Sequence, residues 1–277
     1  MRVVLLAIFL TGLVAGFVKP VGNALEGKAF VGGALLSLVA YVLYDAIKEL
    51  TAAMAERENQ PAQTAIMRVF GDEVVAAFGT GRIELCVMGY TGETLLHEIE
   101  QGLRALRGRA GQVDRIRIRI LAPDFSVPRL VPARLEGDGR VDDPDFRDEI
   151  RVKCKSIATQ LEGRVEELKS AVSPSREISC EYRVYDGVPD LKVVILNEET
   201  VLFGVYDHSS IRLVDGKQYV DPSGADTPMN RVSASVGRGA AQAEALALVK
   251  TWRILFDGRW ALSTLPRWRR VAPGSGV

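Results

Sequence analysis

Two runs without a charged residue constrain this chain more than anything else in it: VVLLAIFLTGLVAGFV (3–18) and AFVGGALLSLVAYVLY (29–44). In a bilayer every backbone N–H and C=O must be satisfied internally, and unbroken apolar runs of this kind meet that demand as helices. Each run falls slightly short of the ~20 apolar residues that a span requires, but flanking residues extend both to a workable length. The connecting KPVGNALEGK is a polar turn holding proline and glycine, so residues 1–47 read as a two-helix transmembrane hairpin. Gly12 and Gly16 form a GxxxG step, and Gly33 and Ser37 repeat the small-xxx-small spacing that lets helices approach closely in lipid. The alternative for the first run is a cleaved signal peptide, since Arg2 precedes it. However, no small-x-small cleavage site closes the run, and a second span follows at once. Lys19 and Lys28 in the turn, against Arg2, Lys48 and Arg57 outside it, set the orientation only weakly.

The rest of the chain reads as a folded domain with no bulk electrostatic address. Across all 277 residues 35 Lys and Arg balance 35 Asp and Glu, which gives no indication of a nucleic-acid or strongly acidic partner. Cys86, Cys154 and Cys180 lie far apart at no zinc-binding spacing, and with 2 histidines a histidine-rich metal site is excluded. Neither a metal nor another cofactor is expected. Three dispersed cysteines suit buried structural thiols in a reducing compartment, which places the domain on the cytoplasmic side of a cell membrane.

Segment by segment, the spacing predicts a helical stalk over 48–79, broken at Pro61, with Ile66, Val69, Phe70, Val74 and Phe78 along one stripe. Beyond it, residues 80–265 read as one α/β domain, followed by a tail over 266–277. A strand at 81–91 leads into a helix at 93–109 whose Leu95, Leu96, Ile99, Leu103 and Leu106 share a face. RIRIRILAP (115–123) alternates arginine with isoleucine, as a strand with one buried and one solvated face does. A Pro-rich acidic stretch reads as loop, and a long amphipathic helix follows through Ile150, Cys154, Ile157, Leu161, Val165 and Leu168. Strands at 178–186, 191–196, 200–206 and 211–214, then a helix from about Ala240, complete a mixed sheet flanked by helices on both faces. His97 falls on the solvated side of its helix, and Trp252, Phe256 and Trp260 form a core stripe. The glycines of SVGRGAAQAEA (235–245) punctuate the start of that last helix.

One lysine stands out, because Lys192 lies in the otherwise apolar strand LKVVIL (191–196). Around it the chain resembles the phospholipase D superfamily. That family's signature runs His-x-Lys, four residues, Asp, six residues, Gly, a small hydroxyl residue or glycine, any residue, and Asn. Here the same frame reads Asp190-Leu191-Lys192, Asn197, and Gly204-Val205-Tyr206-Asp207 with the spacing intact. Lys192 and Gly204 match. The histidine position holds Asp190, the aspartate position Asn197, and the last two polar positions Val205 and Asp207. The resemblance covers roughly 80–257 and implies a phospholipase-D-like half. In the family two such motifs converge, one histidine attacking phosphorus and the other protonating the leaving oxygen.

The substitutions bear on chemistry. Asp190 beside a phosphodiester adds repulsion with no imidazole relay, and Asn197 cannot bear the charge that would stabilise an imidazolium. The candidate catalytic residues are therefore Asp190, Lys192, Asn197 and His208, none of them compelling. As a binding residue, Lys192 reads either as a retained phosphate contact helped by Arg183 or as the partner of Asp190 in a local ion pair. The expected function is a membrane-anchored binding or regulatory protein with a catalytically degenerate phospholipase-D-like domain that senses a phosphate-containing small molecule. Its rivals are an active phosphodiesterase or phospholipase, and a membrane effector whose spans cluster when ligand binds. Because only one motif is present, a homodimer is expected to complete the crevice.

Overall fold

The computed structural model describes Lys48 and residues 62–66, 71–137, 139–236 and 238–269, with 62–66 described in backbone only. The two apolar runs, Val69 and Phe70 of the expected stripe, and most of the tail lie outside the described residues. Among the described residues no helix is long and apolar enough to cross a membrane. Residues Pro61–Val277 form one compact unit.

That unit opens with strand β1 (Ala62–Ile66), then helix α1 (Gly71–Ala77), strand β2 (Arg82–Met88) and helix α2 (Leu96–Arg107). Strand β3 (Arg115–Pro123) and two short strands, β4 (Ala133–Glu136) and β5 (Gly139–Val141), precede the long helix α3 (Pro144–Ala171). Asp143 caps α3 by accepting the Phe146 N–H at 3.2 Å, and Pro144 occupies the first turn, where no intrahelical N–H is needed. Strands β6 (Glu177–Tyr185), β7 (Leu191–Leu196), β8 (Thr200–Val205), β9 (Ile211–Val214), β10 (Lys217–Val220) and β11 (Pro228–Ser233) lead to helix α4 (Ala240–Leu262).

A seven-stranded mixed sheet, in the order β1-β11-β8-β7-β2-β3-β6, carries the domain, and a four-stranded antiparallel sheet, β5-β4-β10-β9, stands beside it. β2, β3 and β6 run parallel to one another, while β7 joins β2 antiparallel. Helices α1, α2 and α3 cover one face, where Ile83, Leu85 and Val87 of β2 meet Ile99, Leu103, Ile157 and Leu161. Helix α4 covers the other, setting Val249, Phe256 and Trp260 against Cys86, Met88, Val193 and Ile195. The mixed α/β class with helices on both faces is as the periodicity implies. Trp252, Phe256 and Trp260 form the expected core stripe, with Trp252 stacked on Phe203 at 4.5 Å between ring centroids.

Two expectations give way. Residues 62–66 are not part of a helical stalk. They form the edge strand β1, paired antiparallel with β11 from Ala62↔Val232 to Ile66↔Pro228. Val74 and Phe78 belong to the domain core instead of a stripe shared with Ile66. The arginine face of β3 is also not simply solvated, because α4 lies over it. Arg119 is 5% exposed and donates to Asp257 Oδ1 at 2.9 Å and Glu84 Oε1 at 3.2 Å, with its guanidinium over the Phe256 ring. Arg253 of α4 donates to the same Glu84 Oε1 at 2.6 Å and to Asp257 Oδ2 at 2.8 Å, so two carboxylates shared by the two arginines tie the helix to the sheet.

Candidate functional site

Strand β7 is buried on both faces, and its period of two sorts its side chains cleanly. Val193 and Ile195 face α4, while Val194 and Leu196 face the α2 and α3 side. Lys192 has the parity of Val194 and therefore points under α2 and α3. It is 3% exposed, and its Nζ donates to the carbonyl of Gly224. Among the described residues no carboxylate stands within ion-pair distance. Desolvation drives the Lys192 ammonium down from its ordinary 10.5 to about 7, opposed only by the field of Glu98. Glu98 itself holds a buried carboxylate oxygen that no donor among the described residues reaches.

The Nζ lies in a cavity of about 410 Å³ at the carboxyl end of β2 and the amino end of β7. There the sheet changes from parallel to antiparallel, the kind of place where a crevice opens beyond the strand ends. The turn 89–95 forms one wall, Ile150 and Lys153 of α3 another, and residues 210–212 and 221–225 the roof. A volume of this size suits a small ligand. The Tyr90 N–H donates to the Tyr206 hydroxyl at 2.9 Å, which draws the turn onto the end of β8.

Gly224 is what lets these segments converge. A Cβ there would lie 2.8 Å from Thr94 Oγ1, 3.6 Å from Lys192 Nζ and 3.8 Å from the Tyr206 hydroxyl. Three polar groups from three distant segments thus surround one point. The cations at the rim are already engaged, Lys153 with Glu93 at 3.0 Å and Arg212 with Asp221 at 3.0 Å. Tyr90 is 7% exposed, and burial and the adjacent Asp221 carboxylate raise its phenol well above the ordinary range. Tyr206 is likewise pushed up by burial. Neither phenol ionises near neutral pH, so both act as neutral hydrogen-bonding groups.

Of the rest of the matched frame, Tyr206, at its unspecified position, lines this cavity, whereas Asp190 and Asn197 are not brought to it. Asp190 precedes the strand, has a side chain 57% exposed, and lies 3.9 Å from His208 Nε2 outside the pocket. The expected ion pair with Lys192 is therefore absent: same-face pairing requires both residues in the strand, and β7 begins at Leu191. The ring of His208 is held against the Pro189 carbonyl at 3.1 Å. Asn197 occupies the opposite end of β7, roughly 17 Å from Lys192 along the strand. Its φ of 51° makes the turn to β8, and its Oδ1 accepts the Glu84 N–H at 2.9 Å, which is a structural task.

Arg183 is not a helper of Lys192. It lies on β6, three strands away, pairs with Glu181, and stacks over Trp260 on the α4 side of the sheet. Gly204 is required by packing, since a Cβ there would strike the Pro228 carbonyl and come within 2.9 Å of Met229 Sδ. His97 is exposed, as its helical position implies, and pairs with Gln101 at 2.6 Å. Cys86 and Cys154 are buried free thiols raised to about 11 and about 12 by desolvation, and Cys180, partly buried, is raised to about 12. None is a poised nucleophile.

Thr94 and the 221–227 segment complete the cavity without a place in the matched frame, and Tyr206 holds the frame's unspecified position. A usable signal existed for the first of these: GYTGET lies between a strand and a helix, where a glycine-containing turn forms one side of a crevice. No protein-family model matches the chain, and a search of curated proteins finds none similar to it.

Proposed function

We propose that the domain is a ligand-binding module whose cavity takes one anionic group of a small molecule, phosphate-containing in the favoured case, with Lys192 as its anchor. One observation carries this reading. Lys192 is the cation at the cavity that lacks a carboxylate partner among the described residues, and it is buried at the cavity rather than at its rim. An anion reaching it finds a desolvated charge with little competition from water, where a single ion pair is worth most. Glu93 and Asp221 at the rim disfavour a polyanion.

The phospholipase-D-like assignment belongs to the same proposal. It is supported by a matched lysine that faces a cavity and a matched glycine that packing requires. Asp190 and His208 stand outside the cavity and Asn197 stands at the far end of the strand, which favours a binding role over hydrolysis. With the hairpin over 1–47 the protein is a membrane-anchored sensor, and the small-residue faces of its spans suit self-association as a homodimer.

Calorimetric titration of the full chain in detergent micelles with glycerol 3-phosphate tests the pocket. The expected result is binding by the parent protein that Lys192→Met abolishes, with no turnover of bis(p-nitrophenyl) phosphate in either. Equal binding by Lys192→Met refutes the anchor. Hydrolysis lost in both Lys192→Met and Asp190→Asn restores the enzyme reading.

A further inference from the structure

We propose that an anion at Lys192 tightens the pairing of β11 with β1, and so acts on the chain that precedes the domain. This regulation rests on the pocket reading above, and the experiment below separates the failure of one from the failure of the other.

The path is short and made of identified contacts. Lys192 Nζ holds the carbonyl of Gly224, in the middle of the segment 221–227 that joins β10 to β11. That segment is tied to itself. Thr227 Oγ1 donates to the Ser223 carbonyl at 2.6 Å, Ser223 Oγ donates to Asp226 Oδ2 at 2.8 Å, and Thr227 is 4% exposed. It therefore moves as a unit. Its last residue adjoins Pro228, the first residue of β11. A second contact reaches the same place, because Gly204, the cross-strand partner of Lys192, packs directly on the Pro228 carbonyl. Lys192 and its partner thus fix where β11 begins.

β11 is the neighbour that holds β1 to the sheet, and β1 is the edge strand. Ile66 pairs with Pro228 itself. Residues 1–61, with the two apolar runs, lead directly into β1. Whatever sharpens or loosens the start of β11 is felt at the strand through which those residues join the domain.

The sign follows from charge. A neutral amine donates weakly to a carbonyl, whereas an ammonium makes a charge-assisted bond about twice as strong. With the cavity empty, burial holds Lys192 at about 7, so both forms coexist near neutral pH. An anion holds the lysine charged and strengthens its grip on Gly224. The other charged groups around Lys192 are Glu98 of α2, whose field reaches it, and, lining the cavity, Glu93 and Lys153, and Arg212 and Asp221. The rim pairs are salt-bridged to each other, and the two phenols are raised out of range.

Hydrogen–deuterium exchange of the full chain in detergent micelles tests the coupling, with inorganic phosphate as probe at matched ionic strength. Phosphate should slow exchange of the 62–66 and 229–233 amides about fivefold, equivalent to about 1 kcal/mol, and leave 177–185 on the far edge unchanged. Independently of any ligand, Gly224→Ala places a Cβ against Thr94 Oγ1 and should speed exchange at 62–66 about fivefold. Adding Thr94→Ala removes the obstacle and should restore the parent rate. Lys192→Met should loosen the same amides, and it serves if Gly224→Ala fails to fold. Calorimetric phosphate binding with unchanged 62–66 protection overturns the coupling and leaves the pocket standing. Loosening by the variants without any phosphate binding supports the coupling and removes phosphate as ligand. Unchanged 62–66 exchange in both Lys192→Met and Gly224→Ala overturns the coupling outright.

Discussion

Replacing Lys192 with methionine isolates what the buried amine does to stability. In the unfolded chain the group titrates at 10.5, and in the folded domain at about 7. A lysine with a depressed folded value opposes folding wherever the unfolded chain binds the extra proton. Stability therefore rises with pH between about 7 and 10.5 and is flat below that window. Over the full window the linkage amounts to at most roughly 5 kcal/mol, and about 2 kcal/mol of it accrues between pH 7 and 9. Methionine fills similar volume without a proton to lose, but it forfeits the bond to Gly224 O, a loss of about 1–3 kcal/mol once the orphaned carbonyl is counted. The two effects leave Lys192→Met more stable than the parent at pH 7 by about 1–3 kcal/mol. They also give a parent-minus-variant difference that moves by about 2 kcal/mol on going to pH 9. Urea denaturation of residues 61–277 at both pH values measures this, with the slope of the transition confirming that both proteins unfold from the same compact state. A variant less stable than the parent at pH 7, with no change in the difference at pH 9, would refute the buried, unpaired amine.

Three other outcomes are expected. Glu84→Gln should lower stability by roughly 1–3 kcal/mol in the same assay, because it leaves Arg119 and Arg253 with Asp257 as the one carboxylate they share. Anion binding should be accompanied by proton uptake at pH 7.5–8, since an anion raises Lys192 from about 7. Calorimetry in buffers of different ionisation enthalpy should show that uptake, and affinity should fall as pH climbs. In cell fractionation the full chain should sediment with membranes and need detergent for release, whereas residues 61–277 should stay in the supernatant. A soluble full chain would remove the hairpin.

Much of the domain was legible because its elements carry their own period. The Arg/Ile alternation of RIRIRILAP marks β3 over its whole length, and α3 and the start of α4 follow from apolar residues at helical spacing. What could not be read depends on partners far away in sequence. AQTAI is a strand because β11, more than 160 residues later, offers it an edge, and nothing local distinguishes it from the helix formers around it. The expected partnership of Arg183 with Lys192 fails because strand order is not written in any one strand. β7 inserts beside β2, which places β6 three positions away and turns Arg183 toward α4. The expected Asp190 pair fails by a single residue of strand boundary, and the roof over the cavity is not legible because 221–227 has no periodicity.

The lysine is not explained by packing. Its neighbours on the same face of β7, Val194 and Leu196, show that the layer accepts aliphatic side chains, and methionine or leucine would fill the position without an ammonium to desolvate. Nor is it explained by an ion pair among the described residues, since the nearby carboxylate field comes from Glu98 at longer range and the direct partner there is a backbone carbonyl. A hydrogen bond to a carbonyl returns about 1 kcal/mol, against a burial penalty several times larger. A group that costs the fold more than it returns, placed at a cavity where Thr94, Tyr206 and Gly224 converge, is accounted for when something anionic occupies that cavity and supplies the missing counter-charge. The same reasoning limits the ligand. With the rim carboxylates of Glu93 and Asp221 already balanced by Lys153 and Arg212, one anionic group neutralises the site, and each further charge would enter without a partner.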